Sequence, residues 1–213
     1  MSTIQEISKA IETGKMKLVK ELVPKAIEEG CSAQEILNDG LLHGMNIIGG
    51  RFSRNEAFVP EVLVSARAMN KGIELIKPLL AEEGNQPIGK AIIGTVQGDL
   101  HDIGKNIVKL MLESRNIEVV DLGVDVPPEK FVEAAKDGDC DLVCCSALLT
   151  TTMPMMEKVI EALKAAGIRE DVVVMVGGAP VTQDFCDQIG ADCYTVDGAA
   201  AAEKAAEILQ ARK

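Results

Sequence analysis

One histidine of this chain stands among residues that could make it a metal ligand. The segment from Thr95 to Val108 reads Thr-Val-Gln-Gly-Asp-Leu-His-Asp-Ile-Gly-Lys-Asn-Ile-Val and contains His101, one of only two histidines. Asp99 lies two residues before His101, and Gly104 lies three residues after it. A carboxylate that accepts one imidazole N–H fixes the tautomer and leaves the other ring nitrogen for a metal. The pattern therefore indicates a candidate metal ligand with a carboxylate partner.

The second part of the chain alternates short apolar runs with amphipathic stretches. Strict alternation predicts a parallel sheet covered by helices on both faces, and right-handed crossovers between five strands favour the flavodoxin-like strand order 2-1-3-4-5. The predicted strands are residues 91–96, 118–122, 142–145, 172–176 and 193–196, and the predicted helices are about 104–115, 128–137, 153–166, 181–189 and 199–211.

Three chemically distinct features follow neighbouring strands of this predicted sheet. His101 follows the first strand, Ser146 comes at the end of the third, and the pair Gly177-Gly178 ends the fourth. In a sheet of this order, ligands bind beyond the carboxyl ends of the strands, near the switch between strands 1 and 3. Glycines at a strand end let a flat or elongated group approach the backbone closely. We therefore expect one crevice that holds a ligand of some size.

The first part of the chain is predicted to be a small unit of four helices. Apolar residues recur at three- and four-residue spacing through 4–11 and 18–27, and Gly14 and Gly30 mark helix ends. A third helix is predicted over 33–49, with Ser32 as its N-cap, and a fourth over about 60–80, with Pro60 in its first turn.

Two connections in this region carry information about domain organisation. Residues 51–59 are predicted to connect the third and fourth helices and contain two of the four phenylalanines. The polar stretch from Glu82 to Pro87 is the best candidate for a linker between domains. The predicted architecture is an N-terminal helical domain over 1–86, followed by a five-stranded Rossmann-type α/β domain over 87–213.

Composition excludes several classes of partner. The formal net charge is −11, from 33 acidic and 22 basic side chains, and aromatic residues make up 2% of the chain. Such a surface repels phosphate backbones and anionic membranes and offers little material for stacking on bases. No apolar run is long enough to span a bilayer, and we expect a cytoplasmic protein with neither nucleic acid nor membrane as partner. Six cysteines lack C-x-x-C spacing, so buried reduced thiols are expected.

Several other ligands of such a sheet fit the residues poorly. A dinucleotide site needs G-x-G-x-x-G after strand 1, whereas residues 94–99 read Gly-Thr-Val-Gln-Gly-Asp. A phosphoacceptor receiver needs an aspartate at the end of strand 3, where this chain has Cys145-Ser146. A flavin is conceivable, but Asp99 and Asp102 in the first loop would repel its phosphate.

The combined spacing resembles a known signature. Asp99-x-His101-x-x-Gly104, then 41 residues, then Ser146-x-Leu148, then 28 residues, then Gly177-Gly178, resembles proteins that bind cobalamin with its nucleotide base displaced from cobalt. The helical part is similar to the cap domain that precedes this module in cobalamin-dependent methionine synthase. The same cap occurs in the corrinoid proteins of methylamine, methanol and betaine methyltransferase systems. The resemblance covers nearly the whole chain.

The resemblance implies roles for individual residues. His101 would be the lower axial ligand of cobalt, Asp99 its hydrogen-bonded partner, and Thr152 would stand for the serine that completes a proton relay. The slot for the nucleotide tail would be lined by Gly104, Ser146, Leu148 and Thr150, with Gly177 and Gly178 close to it. Phe52 and Val59 match cap positions that shield the upper, methyl-bearing face of the corrin.

The resemblance also implies a cofactor, partners and a function. The protein would carry a methyl group on cobalamin or a related corrinoid, between a substrate:corrinoid methyltransferase and a second methyltransferase. The acceptor would be tetrahydrofolate or coenzyme M, and a reductive activase would restore oxidised cobalt. The linker at residues 82–87 is our candidate for the hinge that moves the cap. The sequence leaves the methyl donor open.

Three other functions remain open at this stage. A cobalamin-binding subunit of an adenosylcobalamin mutase shares the histidine motif, although the helical cap argues against it. A cobalamin-dependent sensor or regulator would need a DNA-binding segment, and none is recognisable in the sequence. A cofactor-free interaction protein is the weakest of the three.

Overall fold

A computed structural model of the protein describes residues 2–82, 86–137 and 139–212. The chain divides into two compact units, residues 1–86 and residues 87–213. Residues 83–85 of the predicted linker lie outside the described residues.

The first unit is helical. Its first two helices are short amphipathic helices, and the side chain of Ser2 caps α1 by accepting a hydrogen bond from the Gln5 N–H. Ser32 acts as the predicted N-cap of the third helix and accepts from the Glu35 N–H. The helices are α1 (Thr3–Glu12), α2 (Met16–Glu28), α3 (Ala33–Glu35), a π-helical segment (Ile36–Leu42) that continues directly into α4 (His43–Ser53), and α5 (Val59–Glu82).

The region around Phe52 differs from the prediction. The third helix does not end at Gly49 but continues to Ser53, so Phe52 lies in its last turn and the connection shrinks to residues 54–58. Buried Met45 and Ile48 fix this helix in the core of the unit, and such packing outweighs the low helix propensity of its glycines. Gly44 also allows close packing, because a Cβ there would overlap the Ser8 carbonyl oxygen on α1.

The second unit is a parallel sheet with helices between its strands. The strand order is β2-β1-β3-β4-β5, which confirms the predicted order. The elements are β1 (Gly89–Val96), α6 (Ile103–Glu113), β2 (Ile117–Val126), α7 (Pro128–Lys136), β3 (Leu142–Ser146), α8 (Pro154–Ala165), β4 (Val173–Gly177), α9 (Gln183–Ile189), β5 (Cys193–Tyr194) and α10 (Gly198–Ala211).

Two strands end two or more residues away from their predicted ends. β2 continues past Leu122 to Val126, through residues such as Gly123 and Asp125 that have low strand propensity, because its backbone keeps pairing with β1. β5 is shorter than predicted and ends at Tyr194, since it pairs with β4 through only two residues. Val196, predicted to end this strand, is 78% exposed.

The core of the second unit explains its small residues. Gly94 of β1 leaves room for Phe131 of α7, because a Cβ at Gly94 would lie 2.7 Å from the ring.

Five of the six cysteines are buried and all six are free thiols. Burial raises the pKa of Cys145 to about 12. Among the described helices, none has the length and apolar composition needed to cross a membrane.

Candidate functional site

His101 is held by a buried carboxylate immediately beyond β1. Its ring Nδ1 lies 2.6 Å from Oδ1 of Asp99, and its backbone N–H donates to the same oxygen at 3.1 Å. The Asp99 side chain is fully buried, whereas that of His101 is 51% exposed. An ionised carboxylate can only accept, so Nδ1 carries the proton. Within the described part of the chain, Nε2 of His101 has no hydrogen-bond partner, and it is the nitrogen available to a ligand.

The second oxygen of Asp99 is bound by the loop after β3. Oδ2 accepts hydrogen bonds from the backbone N–H of Leu148 at 2.8 Å and from the Thr152 hydroxyl at 2.7 Å. The Leu149 N–H lies at 3.3 Å from the same oxygen. Charge-assisted bonds of this kind are the strong ones in proteins. The structure thus joins the loop that follows β1 to the loop that follows β3 through one carboxylate.

These contacts determine the ionisation of Asp99. Burial by itself would raise the pKa of this carboxyl, but the hydrogen bonds from Leu148, Thr152 and His101 stabilise the charged form and hold the pKa well below its usual range. Asp99 therefore stays ionised at neutral pH. A permanently ionised partner keeps His101 in one tautomer and orientation.

Thr95 fixes the backbone of His101, and the sequence interpretation overlooked it. Its buried hydroxyl donates to the His101 carbonyl oxygen at 2.8 Å. Thr95 is the register partner of Ser146 across β1 and β3. A hydroxyl near the end of an otherwise apolar strand was the signal that could have identified it.

The two glycines at the end of β4 have different surroundings. Gly177 pairs in register with Ser146, and a Cβ at Gly177 would meet open space. Gly178 has φ +137°, and a Cβ there would overlap the Ala147 carbonyl oxygen. Gly178 therefore permits close packing of the two strand ends, whereas Gly177 leaves room beside Ser146. A Cβ at Gly104, in the first turn of α6, would also meet open space.

Apolar side chains are exposed around this edge of the sheet. Leu100 and Ile103, on either side of His101, are 72% and 70% exposed, and Leu148 is 42% exposed. Thr150 is also exposed, in the turn that leads to α8. Several exposed apolar residues at one edge of a sheet indicate a surface that a ligand or partner covers.

The predicted cap residues lie in the first unit. Phe52 and Val59 are half-buried, Phe52 in the last turn of α4 and Val59 as the first residue of α5. Phe58 between them, one of the two phenylalanines of the predicted connection, is 69% exposed.

The donor set suits a metal that brings most of its own ligands. In the described residues, no group of three or more His, Cys, Asp or Glu side chains could hold an ion. A single imidazole with a fixed tautomer can serve as the one protein ligand of a metal inside a macrocycle. The open space at Gly104 and Gly177 and the exposed Leu100 and Leu148 fit a large, partly apolar group. The residues present therefore fit a corrin.

Comparison with known proteins identifies the group. Two family models, each described as a B12 binding domain, match residues 89–206 and residues 3–77. Dimethylamine corrinoid protein 1 of Methanosarcina acetivorans is 46% identical over 207 residues, which cover 97% of each chain. The dimethylamine corrinoid protein of Methanosarcina barkeri is 45% identical, again covering 97% of each chain.

Solved structures agree with this relationship. The methanol:cobalamin methyltransferase complex MtaBC of Methanosarcina barkeri matches with a TM-score of 0.87 and 34% identity, over 98% of this chain and 80% of that chain. A cobalamin-binding protein of Desulfitobacterium hafniense matches with a TM-score of 0.79 and 31% identity, over 96% of this chain and 98% of that chain.

The fold and the site thus define a cobalamin-binding protein with a helical N-terminal domain. More specifically, the chain belongs to the family of B12-binding corrinoid proteins, the methyl carriers of methyltransferase systems. The predictions of this family, of cobalamin as cofactor and of methyl carriage as function are confirmed. The mutase and regulator alternatives are not favoured.

Proposed function

We propose that this corrinoid protein serves a methylated-amine methyltransferase system and that His101 is the protein ligand of its cobalt. The observation that carries the second part is the free Nε2 of an imidazole whose Nδ1 is bound to buried Asp99. The first part is supported by relatives that are named dimethylamine corrinoid proteins and are 44–48% identical to this chain.

Each residue of the network has a task in this proposal. Cobalamin, when bound, supplies a cobalt centre that accepts a methyl group and gives it up again. Asp99 orients His101 and fixes its tautomer through the bond to Nδ1. When the imidazole is not a ligand, its Nε2 can hold a proton, and the ionised Asp99 stabilises the resulting cation. The Thr152 hydroxyl keeps the charge of Asp99 in place by donating to Oδ2.

We assign the remaining predicted residues to two further tasks. The slot for the nucleotide tail is lined by Gly104, Ser146, Leu148, Thr150, Gly177 and Gly178, and the open space at two of these glycines supports the assignment. Phe52 and Val59 are our candidates for covering the upper face of the corrin. Residues 1–86 are then the cap domain, residues 87–213 the cobalamin-binding domain, and the linker between them the hinge.

Three partner proteins belong to the proposal. The related MtaBC structure is a complex that contains a methyltransferase, and we propose a substrate methyltransferase as the first partner of this chain. A second methyltransferase would pass the methyl group to tetrahydrofolate or coenzyme M, and a reductive activase would restore oxidised cobalt. A cytoplasmic location remains a prediction, with which free cysteine thiols agree.

The His101 assignment is tested by replacing each histidine in turn. His101→Ala is expected to remove the protein nitrogen that would bind cobalt, while the fold is retained. His43→Ala is the matched control, because His43 lies in the first unit and its Nδ1 is bound to the Ser8 hydroxyl at 2.9 Å. The apoproteins are mixed with hydroxocobalamin, reduced to the cobalt(II) state, and examined for nitrogen splitting in the electron paramagnetic resonance spectrum. Isotopic labelling shows whether the splitting comes from a nitrogen of the cofactor's own base. If His101→Ala keeps the splitting and that base is excluded as its source, the assignment is refuted.

The amine assignment is tested with candidate donors. The loaded, reduced protein is mixed with a dimethylamine-specific methyltransferase and dimethylamine, and methylation of cobalt is followed by its absorbance. Parallel reactions use monomethylamine and methanol with their own methyltransferases. Faster methylation in the methanol reaction than in both amine reactions would contradict this part of the proposal and leave the role of His101 intact.

A further inference from the structure

Asp125, near the end of β2, has a backbone conformation that residues other than glycine rarely adopt. Its φ is +52°, in the left-handed region. Its backbone N–H donates to the Asp99 carbonyl oxygen at 2.9 Å, and its Oδ1 accepts from the Gly98 N–H at 2.7 Å. One residue of β2 therefore binds two successive residues of the loop that carries His101. The bonds run in opposite directions, which fixes the loop at two points.

Two irregularities of the β1–β2 pairing bring Asp125 to this loop. Ile93 pairs with Asp121, Gly94 with Gly123, and Val96 with Val126, so that β2 gains one residue at each of two register shifts. Extra residues of this kind bend a strand and re-aim its side chains. The second shift places Val124 and Asp125 opposite the single residue Thr95. Asp125 thus turns from the sheet towards the loop beyond β1.

The base of this β2 segment is itself anchored. Asp121 Oδ1 accepts from the Gly123 N–H at 3.0 Å and from Lys105 Nζ at 2.6 Å. Lys105 follows Gly104 in the first turn of α6 and is only 2% exposed. The segment that presents Asp125 therefore has a fixed support and can transmit a constraint to the loop.

The loop is held between Asp125 and the relay residue Thr152. Gly98 has φ +84°, and a Cβ there would lie 3.5 Å from Cγ2 of Thr152. The Asp99 side chain is bound on the β3 side by Leu148 and Thr152, and its backbone carbonyl on the β2 side by Asp125. The contacts with β3 orient the carboxylate, whereas the contacts with β2 fix the backbone from which it projects.

We propose that Asp125 is a positioning residue for the imidazole ligand, and that it acts through Gly98 and Asp99 without contacting the cofactor itself. This inference rests on the proposed role of His101. Loss of the Asp125 side-chain bond leaves the loop attached to β2 by one backbone bond. His101 then occupies the ligating position for a smaller fraction of the time, and both ligation and cofactor affinity decrease.

The test uses substitutions that separate the side-chain bond from the backbone conformation. Asp125→Gly keeps the left-handed conformation and the backbone N–H but removes the acceptor for Gly98. Asp125→Asn keeps a side-chain oxygen and tolerates the same conformation. Asp139→Gly is the matched control, because Asp139 is an exposed aspartate with φ +46° away from the loop.

For Asp125→Gly, we expect the dissociation constant for hydroxocobalamin to rise about fivefold, the size of one lost hydrogen bond. The fraction of bound cobalt(II) with a histidine-derived nitrogen splitting should also fall when histidine is labelled with ¹⁵N. Asp125→Asn and Asp139→Gly should match the wild type in both measurements. A merely structural role would lower the stability of the apoprotein without changing the ligated fraction.

An unchanged ligated fraction in a folded Asp125→Gly protein would overturn the inference. If Asp125→Gly does not fold, hydrogen exchange on the wild-type protein tests the inference instead. The inference requires that the Gly98 amide is protected from exchange and that this protection increases when cobalamin binds. Fast exchange at Gly98 in the loaded protein would overturn the inference. Failure of the proposed function is recognised separately, since wild type and His101→Ala would then show the same ligation.

Discussion

Gly178 is the residue at which a single added methyl group should be most disruptive. The glycine follows β4 with φ +137°, a conformation that L-residues avoid, and its ideal Cβ would overlap the Ala147 carbonyl oxygen. The carbonyl carbon of Ala147 would lie 2.9 Å from the same Cβ. The obstacle is therefore backbone, which cannot move aside as a flexible side chain would.

The cost of Gly178→Ala follows from these two effects. Two carbon atoms in contact prefer about 3.5–4.0 Å, so the distance to the Ala147 carbonyl carbon alone requires the strand ends to separate by about 0.6 Å, and the closer approach to the oxygen requires more. Such overpacking costs about 1–3 kcal/mol, and the unfavourable φ costs about 1–3 kcal/mol more. The separation also strains the bond from the Ala147 N–H to the Gly177 carbonyl, which is 3.2 Å long. We expect the free energy of unfolding to fall by about 3 kcal/mol.

Gly177→Ala is the matched control and should behave in the opposite way. Its Cβ meets open space in the apoprotein, so the free energy of unfolding should change by less than about 0.5 kcal/mol. The same methyl group would occupy the proposed nucleotide slot, and it should raise the dissociation constant for cobalamin about tenfold.

The assay combines urea unfolding of each apoprotein with titration of hydroxocobalamin, followed by absorbance and corrected for the folded fraction. An apoprotein of Gly178→Ala as stable as the wild type would refute the packing argument. Wild-type affinity in Gly177→Ala would show that the slot does not pass this glycine. The two results are independent, because one concerns folding and the other concerns the space that folding leaves open.

Three further outcomes follow from other contacts. Lys105→Met removes the buried cation of Asp121 but leaves Lys109 at 3.4 Å, so it should lower the free energy of unfolding by about 2 kcal/mol in urea titrations. An unchanged value would mean that the ion pair contributes nothing. Burial alone would raise the pKa of Asp121, but Lys105 and the Gly123 N–H lower this pKa below its usual value. The ionised Asp121 therefore stabilises the fold fully above the unfolded-state pKa of about 3.9, and this stabilisation is lost as the pH falls below that value. Asp121→Asn should therefore be less stable than wild type at neutral pH and approach it in acid, and a difference independent of pH would contradict this. A thiol reagent should modify only Cys31 in the native protein, because the other cysteines are buried. If a Cys31→Ser protein reacted as fast as the wild type, this prediction would be wrong.

The sequence alone determined the fold class and predicted which residues form the candidate site. Alternating apolar and amphipathic segments specify a parallel sheet, and the strand order then follows from the handedness of the crossovers. Because parallel strands end at one edge, the spacing of His101, Ser146 and Gly177 along the chain predicted that they would face one crevice. These features depend on local pattern and on general rules of topology, which a sequence contains.

Only the tertiary structure decided how the imidazole is held. The bonds from Thr95 to the His101 carbonyl and from Asp125 to Gly98 and Asp99 join residues on different elements. Asp125 reaches its partners because β2 shifts register twice, and no propensity predicts such shifts, since glycine and aspartate disfavour strands. Phe52 likewise lies in a helix because Met45 and Ile48 are buried. Long-range packing and pairing free energies outweigh local preferences at these positions, and they exist only once the chain has folded.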